Sequence, residues 1–328
     1  MKRLLLIMPN FFDYPEVISD ELRRMGYEVD FYDDRPSTQG IVKAIIRLKK
    51  SLINGYIRKY FNGIMKEVRT KKYDVVFLIS GQSLSFSKEM LSELKASQPQ
   101  AKYVLYQWDS MKNFPYIGEM HGFFDSMFSF DRSDCEKDPN LKFLPLFYSR
   151  KYEEIGKKKG KYRYDFSFVG TAHPKKYKFI NQMSQQLKTV YPNQFIYFFF
   201  PSVIAYYYHK VFAPELQHAK KSEFHFVPIK GDKMDRIITD SRCILDSPQA
   251  GQLGLTMRVL EALGAKKKLI TTNEDVKNYD FYRPENVYIY KNQIDLNNIF
   301  FSVPYQEIDK VIYEKYSLRS WLKCCIGD

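Results

Sequence analysis

The first half of the chain alternates short apolar runs with amphipathic stretches. This pattern is typical of parallel β-strands joined by crossover helices. Residues 15–25 and 88–96 place their apolar side chains on one helical face, so each is predicted to be a helix that covers a sheet. The predicted strands are residues 4–8, 28–32, 74–79, 103–107, 126–130 and 142–144.

A second series of the same kind begins at residue 164, with a helix predicted after Pro174. The segment 304–325 again has helical spacing and could pack back on the first half. We therefore predict an α/β protein with two doubly wound, Rossmann-like domains facing a central cleft. The strands predicted in this half are residues 164–169, 195–199, 223–227, 243–245 and 268–271.

The stretch between the two series, residues 149–163, is polar and strongly basic and contains a run of three lysines between two glycines. Such composition is typical of a hinge or linker. The predicted organisation is an N-terminal domain at 1–150, a basic linker at 151–163, a C-terminal domain at 164–303, and a C-terminal helix at 304–328 that crosses back to the first domain.

Charge and cysteine content narrow the classes of partner and compartment. With 51 Lys and Arg against 38 Asp and Glu, the 328-residue chain carries a net charge of +13, which favours anionic partners such as nucleotides, phospholipids or nucleic acid. The four cysteines show no metal-ligand spacing, and the vicinal pair Cys324 and Cys325 is a poor disulfide framework, so a reducing cytoplasm is expected. The most apolar later stretch, 195–208, is too short for a membrane span and contains Pro201.

The most informative segment runs from Cys243 to Ala265 and is predicted to form a strand, a glycine-bearing loop and a helix. Gly251 and Gly254 permit a tight turn, and Thr256 is placed to be the N-cap of the helix. Free amide groups at a helix start form an anion site. Arg258 and Glu261 are three residues apart and share one helical face, so an exposed intrahelical ion pair is the alternative interpretation.

This segment resembles the donor-binding region of GT-B glycosyltransferases, especially the bacterial spore-coat and the capsule or lipopolysaccharide families. The resemblance rests on a Gly-Leu-x-x-Arg-x-x-Glu-Ala-Leu-Gly pattern. It implies that Glu261 accepts hydrogen bonds from a nucleotide ribose, and that Arg258 and the loop hold the diphosphate. Retaining members carry a glutamate eight positions earlier, where this chain has Leu253, so the stereochemical outcome stays open. The matching positions are Gly254, Leu255, Arg258, Glu261, Ala262, Leu263 and Gly264.

A second match, residues 164–171, looks like the opening strand of the donor domain in that family. The resemblance implies that a turn at Gly170 and Thr171 approaches the leaving phosphate. His173 could touch the diphosphate, although a histidine before Pro174 is equally a helix-start residue. By order in the fold, Val227 and Pro228 would form the wall against the nucleobase.

An inverting transfer also needs a base for the acceptor hydroxyl, and this base is sought in the N-terminal, acceptor-binding domain. Ligand-facing residues of an open α/β sheet lie beyond the carboxyl ends of strands, which nominates Asp13 after the first strand and Asp109 after the fourth. Both are flanked by aromatic residues, and either could instead be a loop cap. His121 is a third candidate.

No Asp-x-Asp run and no histidine pair at metal-ligand spacing occurs in the sequence, so no catalytic metal is predicted. The absence of Gly-x-Gly-x-x-Gly and of a Walker loop argues against a dinucleotide oxidoreductase or an ATPase. We therefore expect no cofactor other than a nucleotide-sugar co-substrate, with a glycan or lipid-linked acceptor, in bacterial surface polysaccharide biosynthesis.

Between Lys43 and Lys72 the chain carries eight further basic residues and a single acid, Glu67. Apolar residues recur in this segment at helical spacing. One interpretation is peripheral attachment to an anionic membrane at the inner face of the plasma membrane. The alternative is a helix that packs its apolar stripe on the sheet and exposes its lysines. Rival functions are a nucleotide-sugar epimerase of the same fold, a nucleic-acid-binding protein and a non-catalytic carbohydrate-binding protein. No nucleic-acid-binding motif is present, so nucleic acid is not the expected partner.

Overall fold

The computed structural model describes residues 1–36, 54–80, 85–112, 115–158, 160–248 and 253–327. The chain divides into two compact units, one formed by Met1–Pro145 with Leu318–Asp328 and the other by Leu146–Ser317. Each unit contains a sheet of six parallel strands flanked by helices. The predicted α/β fold with two doubly wound sheets is therefore confirmed.

The strands are β1 (Lys2–Met8), β2 (Tyr27–Asp33), β3 (Val75–Ser80), β4 (Lys102–Gln107), β5 (Ser126–Ser129), β6 (Leu141–Phe143), β7 (Tyr164–Thr171), β8 (Gln194–Phe199), β9 (Phe224–His225), β10 (Ser241–Asp246), β11 (Lys268–Thr271) and β12 (Val287–Ile289). The α-helices are α1 (Tyr14–Arg24), α2 (Asn54–Val68), α3 (Lys88–Ser97), α4 (Arg132–Lys137), α5 (Arg150–Lys157), α6 (Pro174–Leu187), α7 (Val203–Phe212), α8 (Asp232–Thr239), α9 (Met257–Gly264), α10 (Ile299–Ser302), α11 (Lys310–Lys315) and α12 (Leu318–Ile326). Short 3₁₀ helices lie at Pro115–Phe123, Pro214–Leu216, Lys221–Glu223 and Glu274–Asn278.

The sheet of the first unit has the strand order β2-β1-β3-β4-β5-β6. Its central strands are covered on both faces, which is why β1 and β3 are continuous apolar runs rather than alternating ones. Helix α2 packs Ile57, Phe61 and Ile64 into this core. Because β1, β3 and β4 run parallel, the loops that follow β1 and β4 leave the sheet on the same side.

Helix α12 belongs to the first unit although the residues before it belong to the second. Trp321 is fully buried, with its ring centroid 4.6 Å from that of Tyr106 and 5.6 Å from that of Phe77. The helix end is held by Lys102, whose Nζ donates to the carbonyl oxygen of Ile326 at 3.0 Å.

The prediction of one continuous helix over residues 304–325 is wrong. This part of the chain consists of a non-helical lead at 304–309 followed by α11 and α12. This lead is anchored by the Asn286 side chain, which donates to the carbonyl oxygen of Gln306 at 2.7 Å and accepts from the Gln306 amide at 2.8 Å. Tyr316 and Ser317 form a turn that ends α11 before α12 begins.

The sheet of the second unit has the strand order β12-β11-β10-β7-β8-β9. Strand β12 was not predicted, and β9 is shorter than the predicted strand at 223–227. Most of the segment 151–163, expected to be a linker, is helix α5, because Tyr152 and Ile155 bury their side chains in this unit. Arg150 and Lys157 of α5 are exposed, and Lys151 is half-buried and pairs with Asp235 at 3.2 Å.

Candidate functional site

Helix α9 begins beside the carboxyl ends of β10 and β7 in the second unit, as predicted for the donor-binding segment. Thr256 is the N-cap residue, and its backbone carbonyl accepts from the amide of Val259 at 3.1 Å. Its hydroxyl does not cap the helix and instead donates to Asp246 Oδ1 at 3.0 Å. Gly254 and Leu255 are buried just before the cap, and Leu255 packs in the interior, so its side chain supports the helix rather than a ligand. Gly251 lies outside the described residues.

Arg258 and Glu261 form the ion pair that their spacing predicts, with 2.8 Å between Arg258 Nη1 and Glu261 Oε2. The pair is not the exposed surface pair of the alternative interpretation, because the side chain of Glu261 is only 7 % exposed and that of Arg258 is 21 % exposed. Burying a charged pair costs desolvation energy that a surface pair avoids. Tyr152 of α5 lies against the same carboxylate, and burial together with Glu261 holds the pKa of Tyr152 well above its ordinary value.

A second acidic residue, Asp246, and a second basic residue, Lys176, lie next to this pair. Asp246 ends β10 and is buried, and burial raises the pKa of its carboxyl, while the charge of Lys176, the hydroxyl of Thr256 and the charge of Arg258 oppose the rise. Thr271 also donates to this carboxylate, at 3.4 Å. Lys176, in the first turn of α6, has its pKa lowered by burial and by repulsion from Arg258, against the attraction of Asp246. Lys176 and Arg258 are thus two cationic groups that interact with the carboxylate of Asp246, beside the N-cap residue of α9.

Close helix packing explains the last glycine of the motif. A Cβ atom on Gly264 would lie 2.5 Å from the ring carbon Cγ of Tyr148, and one on Gly156 of α5 would lie 2.6 Å from the carbonyl oxygen of Gly264. The same carbonyl accepts from the hydroxyl of Tyr313 at 2.6 Å. The absence of a side chain at Gly156 lets α5 approach α9, where Tyr152 lies close to Glu261, and the absence of one at Gly264 leaves room for the Tyr148 ring.

Gly170, Thr171 and His173 lie at the carboxyl end of β7, next to β10 in the sheet. The turn expected at Gly170 is wrong, since Gly170 is still in the strand and pairs with Phe198. Its lack of a side chain is required instead by the Phe168 ring, which a Cβ atom would approach to 2.7 Å. His173 is the N-cap residue of α6, its side chain makes no capping bond, and its pKa is lowered by partial burial and by the charge of Lys176.

Val227 and Pro228 are both exposed and follow β9 at the edge of the same sheet. The carbonyl oxygen of Val227 accepts from the hydroxyl of Tyr197 at 2.7 Å. The Tyr197 ring stacks on His225 with 3.8 Å between centroids and 3° between planes. The predicted nucleobase wall is thus an exposed surface of apolar and aromatic groups, fixed by a hydrogen bond to the backbone.

In the first unit, Asp13 and Asp109 follow β1 and β4 as predicted, beside one aromatic cluster of Phe11, Tyr14 and Trp108. The Trp108 ring lies 5.4 Å from Phe11 and 5.2 Å from Tyr14, measured between centroids. Asp13 is the N-cap residue of α1 without a side-chain capping bond. Asp109 accepts from the backbone amide of Ser110 at 2.9 Å, which matches the loop-cap alternative.

His121 does not face solvent, so its proposed role as a base has no structural support. Its Nδ1 lies 2.9 Å from Asp138 Oδ2, and its Nε2 is buried. The 3₁₀ segment Pro115–Phe123 carries the ring into the first unit, where Met120 and Phe123 pack against the core.

Within the described ranges, no three His, Cys, Asp or Glu side chains are grouped as metal ligands. No helix in that part of the chain is both long and apolar enough to cross a bilayer.

The fold is that of the GT-B glycosyltransferases, as comparison with solved structures shows. An α-glucosyltransferase in complex with UDP and mismatched DNA matches with 13% identity and a TM-score of 0.54, over 92% of this chain and 84% of that one. The lipopolysaccharide outer core galactosyltransferase WaaB matches with 11% identity and a TM-score of 0.54, over 98% of each chain. Sucrose-phosphate synthase from Thermosynechococcus elongatus matches with 9% identity and a TM-score of 0.57, over 100% and 95%. No protein-family model and no curated protein sequence matches the chain.

Proposed function

We propose that this chain, which has the GT-B fold, is a glycosyltransferase that takes its donor sugar from a nucleoside-diphosphate sugar bound at the start of α9. The observation that carries the proposal is the buried Arg258–Glu261 pair at a helix start, beside Lys176. Two cations and the positive end of a helix dipole suit a diphosphate, because each contributes positive potential at close range. A carboxylate next to them accepts hydrogen bonds from ribose hydroxyls.

In this mechanism the second unit stabilises the departing diphosphate. Arg258, Lys176 and the α9 amides carry positive charge or partial charge to the phosphate oxygens, where negative charge increases as the glycosidic bond breaks. Arg258 also holds Glu261 in place through their ion pair. Val227 and Pro228 provide the apolar surface for the nucleobase. Asp13 or Asp109 acts as base for the acceptor hydroxyl, and the aromatic cluster of Phe11, Tyr14 and Trp108 binds the acceptor sugar. No metal is required in this scheme.

The acceptor is proposed to be a glycan or lipid-linked glycan of a bacterial surface polysaccharide. Two observations support this placement: the motif at 254–264 is similar to that of capsule and lipopolysaccharide enzymes, and one matching structure is a lipopolysaccharide outer core galactosyltransferase. A second matching structure, Alr3699/HepE from Anabaena, was determined with UDP and glucose. These names describe those proteins, and they support a nucleotide-sugar donor here.

Peripheral membrane attachment through Lys43 to Lys72 is a further part of the proposal. Of this segment the structure describes residues 54–72, where α2 buries Ile57, Phe61 and Ile64 in the core. This face of α2 is therefore occupied, while Tyr56, Lys59 and Lys66 are exposed. Residues 43–53 lie outside the described residues. Attachment by this segment would accordingly be electrostatic along α2.

The test compares ribonucleoside diphosphates with their 2′,3′-dideoxy forms by calorimetry, using a panel of nucleobases. The unmodified chain should prefer the ribonucleotide by about 10-fold or more, the value of a hydrogen bond to a charged group. Glu261→Gln should reduce this preference, and Arg258→Ala should weaken the binding of both the ribonucleotide and the dideoxynucleotide. Glu274→Gln and Lys291→Met, which break an exposed pair in the same unit, are matched controls.

Transfer is then assayed with the nucleotide-sugar that binds. Glu261→Ala and Arg258→Ala should each abolish or strongly reduce transfer, while the two control variants keep it. Unchanged turnover in both site variants contradicts the donor-site assignment. An epimerised nucleotide-sugar formed without any acceptor would identify an epimerase instead.

A further inference from the structure

Helix α7 in the second unit exposes an apolar stripe of five side chains at positions i, i+3, i+4, i+7 and i+8. Each is between 52 % and 82 % exposed. This spacing places all of them on one helical face, the face that a surface helix normally buries. A contiguous exposed patch of this kind marks an interaction surface. The members of the α7 stripe are Ile204, Tyr207, Tyr208, Val211 and Phe212.

The opposite face of α7 is firmly attached to the unit, so the stripe is held outward. Tyr206 is 2 % exposed and packs its ring 5.2 Å from that of Phe224 and 5.8 Å from that of Phe200. Ser202 caps the helix by accepting from the amide of Ala205 at 3.1 Å. Lys210 Nζ donates to the carbonyl oxygen of Ala219 at 2.6 Å. The exposure of the stripe is therefore a consequence of specific packing.

The charge around the stripe indicates its partner. Helix α7 contains no acidic residue, and residues 201–222 carry three lysines against one glutamate. Lys220 and Lys221 are exposed, and Lys221 Nζ lies 6.0 Å from the centroid of Tyr207 within the stripe. Two copies of this chain docked through their stripes would bring these like charges together. An anionic lipid surface instead meets the lysines with phosphate groups and the stripe with acyl chains.

We propose that α7 is a membrane-contact helix that lies in the interface of an anionic bilayer, with the α7 stripe inserted and Lys220 and Lys221 at the headgroups. A ten-residue helix is about 15 Å long, so it lies along the surface and does not cross it. The tyrosines suit this depth because each has an apolar ring and a polar hydroxyl. This surface is distinct from Lys43 to Lys72 and does not depend on transferase activity.

The test is flotation of the full chain with vesicles of phosphatidylcholine, with and without phosphatidylglycerol. The unmodified chain should bind the anionic vesicles, and Ile204→Ser combined with Val211→Ser and Phe212→Ser should raise the lipid concentration for half-binding about tenfold or more. Lys220→Gln with Lys221→Gln should weaken binding to the vesicles that contain phosphatidylglycerol and leave binding to pure phosphatidylcholine vesicles unchanged. The matched control is Val190→Ser with Val311→Ser, which removes two exposed valines outside the stripe.

Insertion is distinguished from adsorption with Phe212→Trp, whose emission should shift to shorter wavelength on vesicles and be quenched by brominated lipid. Equal binding by the stripe variant and the unmodified chain overturns the proposal, as does an absence of vesicle binding. Loss of binding in Lys59→Gln with Lys66→Gln, without loss in the stripe variant, assigns attachment to α2 instead. A dimer in solution that the stripe variant dissociates assigns the stripe to self-association. Nucleotide binding by the stripe variant should equal that of the unmodified chain.

Discussion

Replacing Lys176 with methionine removes one of the two cations at the start of α9 and keeps most of the side-chain volume. In the unliganded chain this lysine is costly, because burial and Arg258 lower the pKa of its ammonium group. The charge of Asp246 opposes this lowering, and the pKa of Asp246 is itself raised by burial and held down by Lys176. A diphosphate bound at the start of α9 would supply further negative charge to this ammonium group.

The magnitude follows from the type of contact. A hydrogen bond between a charged lysine and a phosphate oxygen is worth about 1.5–3 kcal/mol, so Lys176→Met should raise the Kd for a nucleoside diphosphate about 10- to 150-fold. The adjacent Lys175 is exposed on the same helical turn, and its charge acts only through water. Lys175→Met should change the Kd less than about threefold at physiological salt.

Isothermal calorimetry at fixed ionic strength measures both variants against the nucleotide that the unmodified chain binds best. Both variants should unfold cooperatively, which thermal denaturation without nucleotide checks. A Kd for Lys176→Met within threefold of the unmodified value refutes the role of Lys176. Equal losses in both variants would show that binding depends on general charge and not on this site.

Three further predictions concern stability and follow from packing and from titration. Gly264→Ala should destabilise the second unit by about 1–3 kcal/mol, because the added Cβ collides with Tyr148. Gly63→Ala should stabilise the first unit by about 0.5–1 kcal/mol, because Gly63 lies on an exposed stretch of α2 with open space around its Cβ. Urea denaturation measures both changes. Trp321→Ala should cost the first unit about 3–5 kcal/mol, seen as earlier loss of its far-UV signal, and an unchanged midpoint would contradict the packing of α12. Burial lowers the pKa of Lys267 to about 8, below its unfolded value, so the folded state loses this proton at a lower pH than the unfolded state does. The free energy of unfolding should therefore rise between about pH 8 and 10. Lys267→Met should flatten that rise, and an equally steep rise in the variant would assign it to other groups.

The two sheets were predictable because their strands are short buried runs separated by amphipathic helices. Strand β12 was not predicted; it contains only three residues, all of which pair with β11. The linker expected at 151–163 was misjudged because composition reports the basic residues of α5 and not its two buried side chains. In the same way, the tie between Asn286 and Gln306 joins residues that no local pattern connects.

For the candidate site, the ion pair of Arg258 and Glu261 followed from their helical spacing, but its burial did not. Tyr152 reaches Glu261 only because α5 and α9 pack closely at their glycines, which depends on tertiary structure. Lys176 was missed although a signal existed. It precedes Ile180 by four residues and Leu187 by eleven, and therefore shares the buried face of α6, whereas Lys175 does not.

The position of α12 has a consequence for biosynthesis. Strands β1 to β6 emerge from the ribosome first, yet the helix that covers Tyr106 and Phe77 with Trp321 is translated only after the entire second unit. During that interval the nascent first sheet exposes an apolar surface, the kind of surface that chaperones recognise. The second unit, continuous in sequence, can complete its own folding earlier, so the order of synthesis and the order of completion are opposite in this chain.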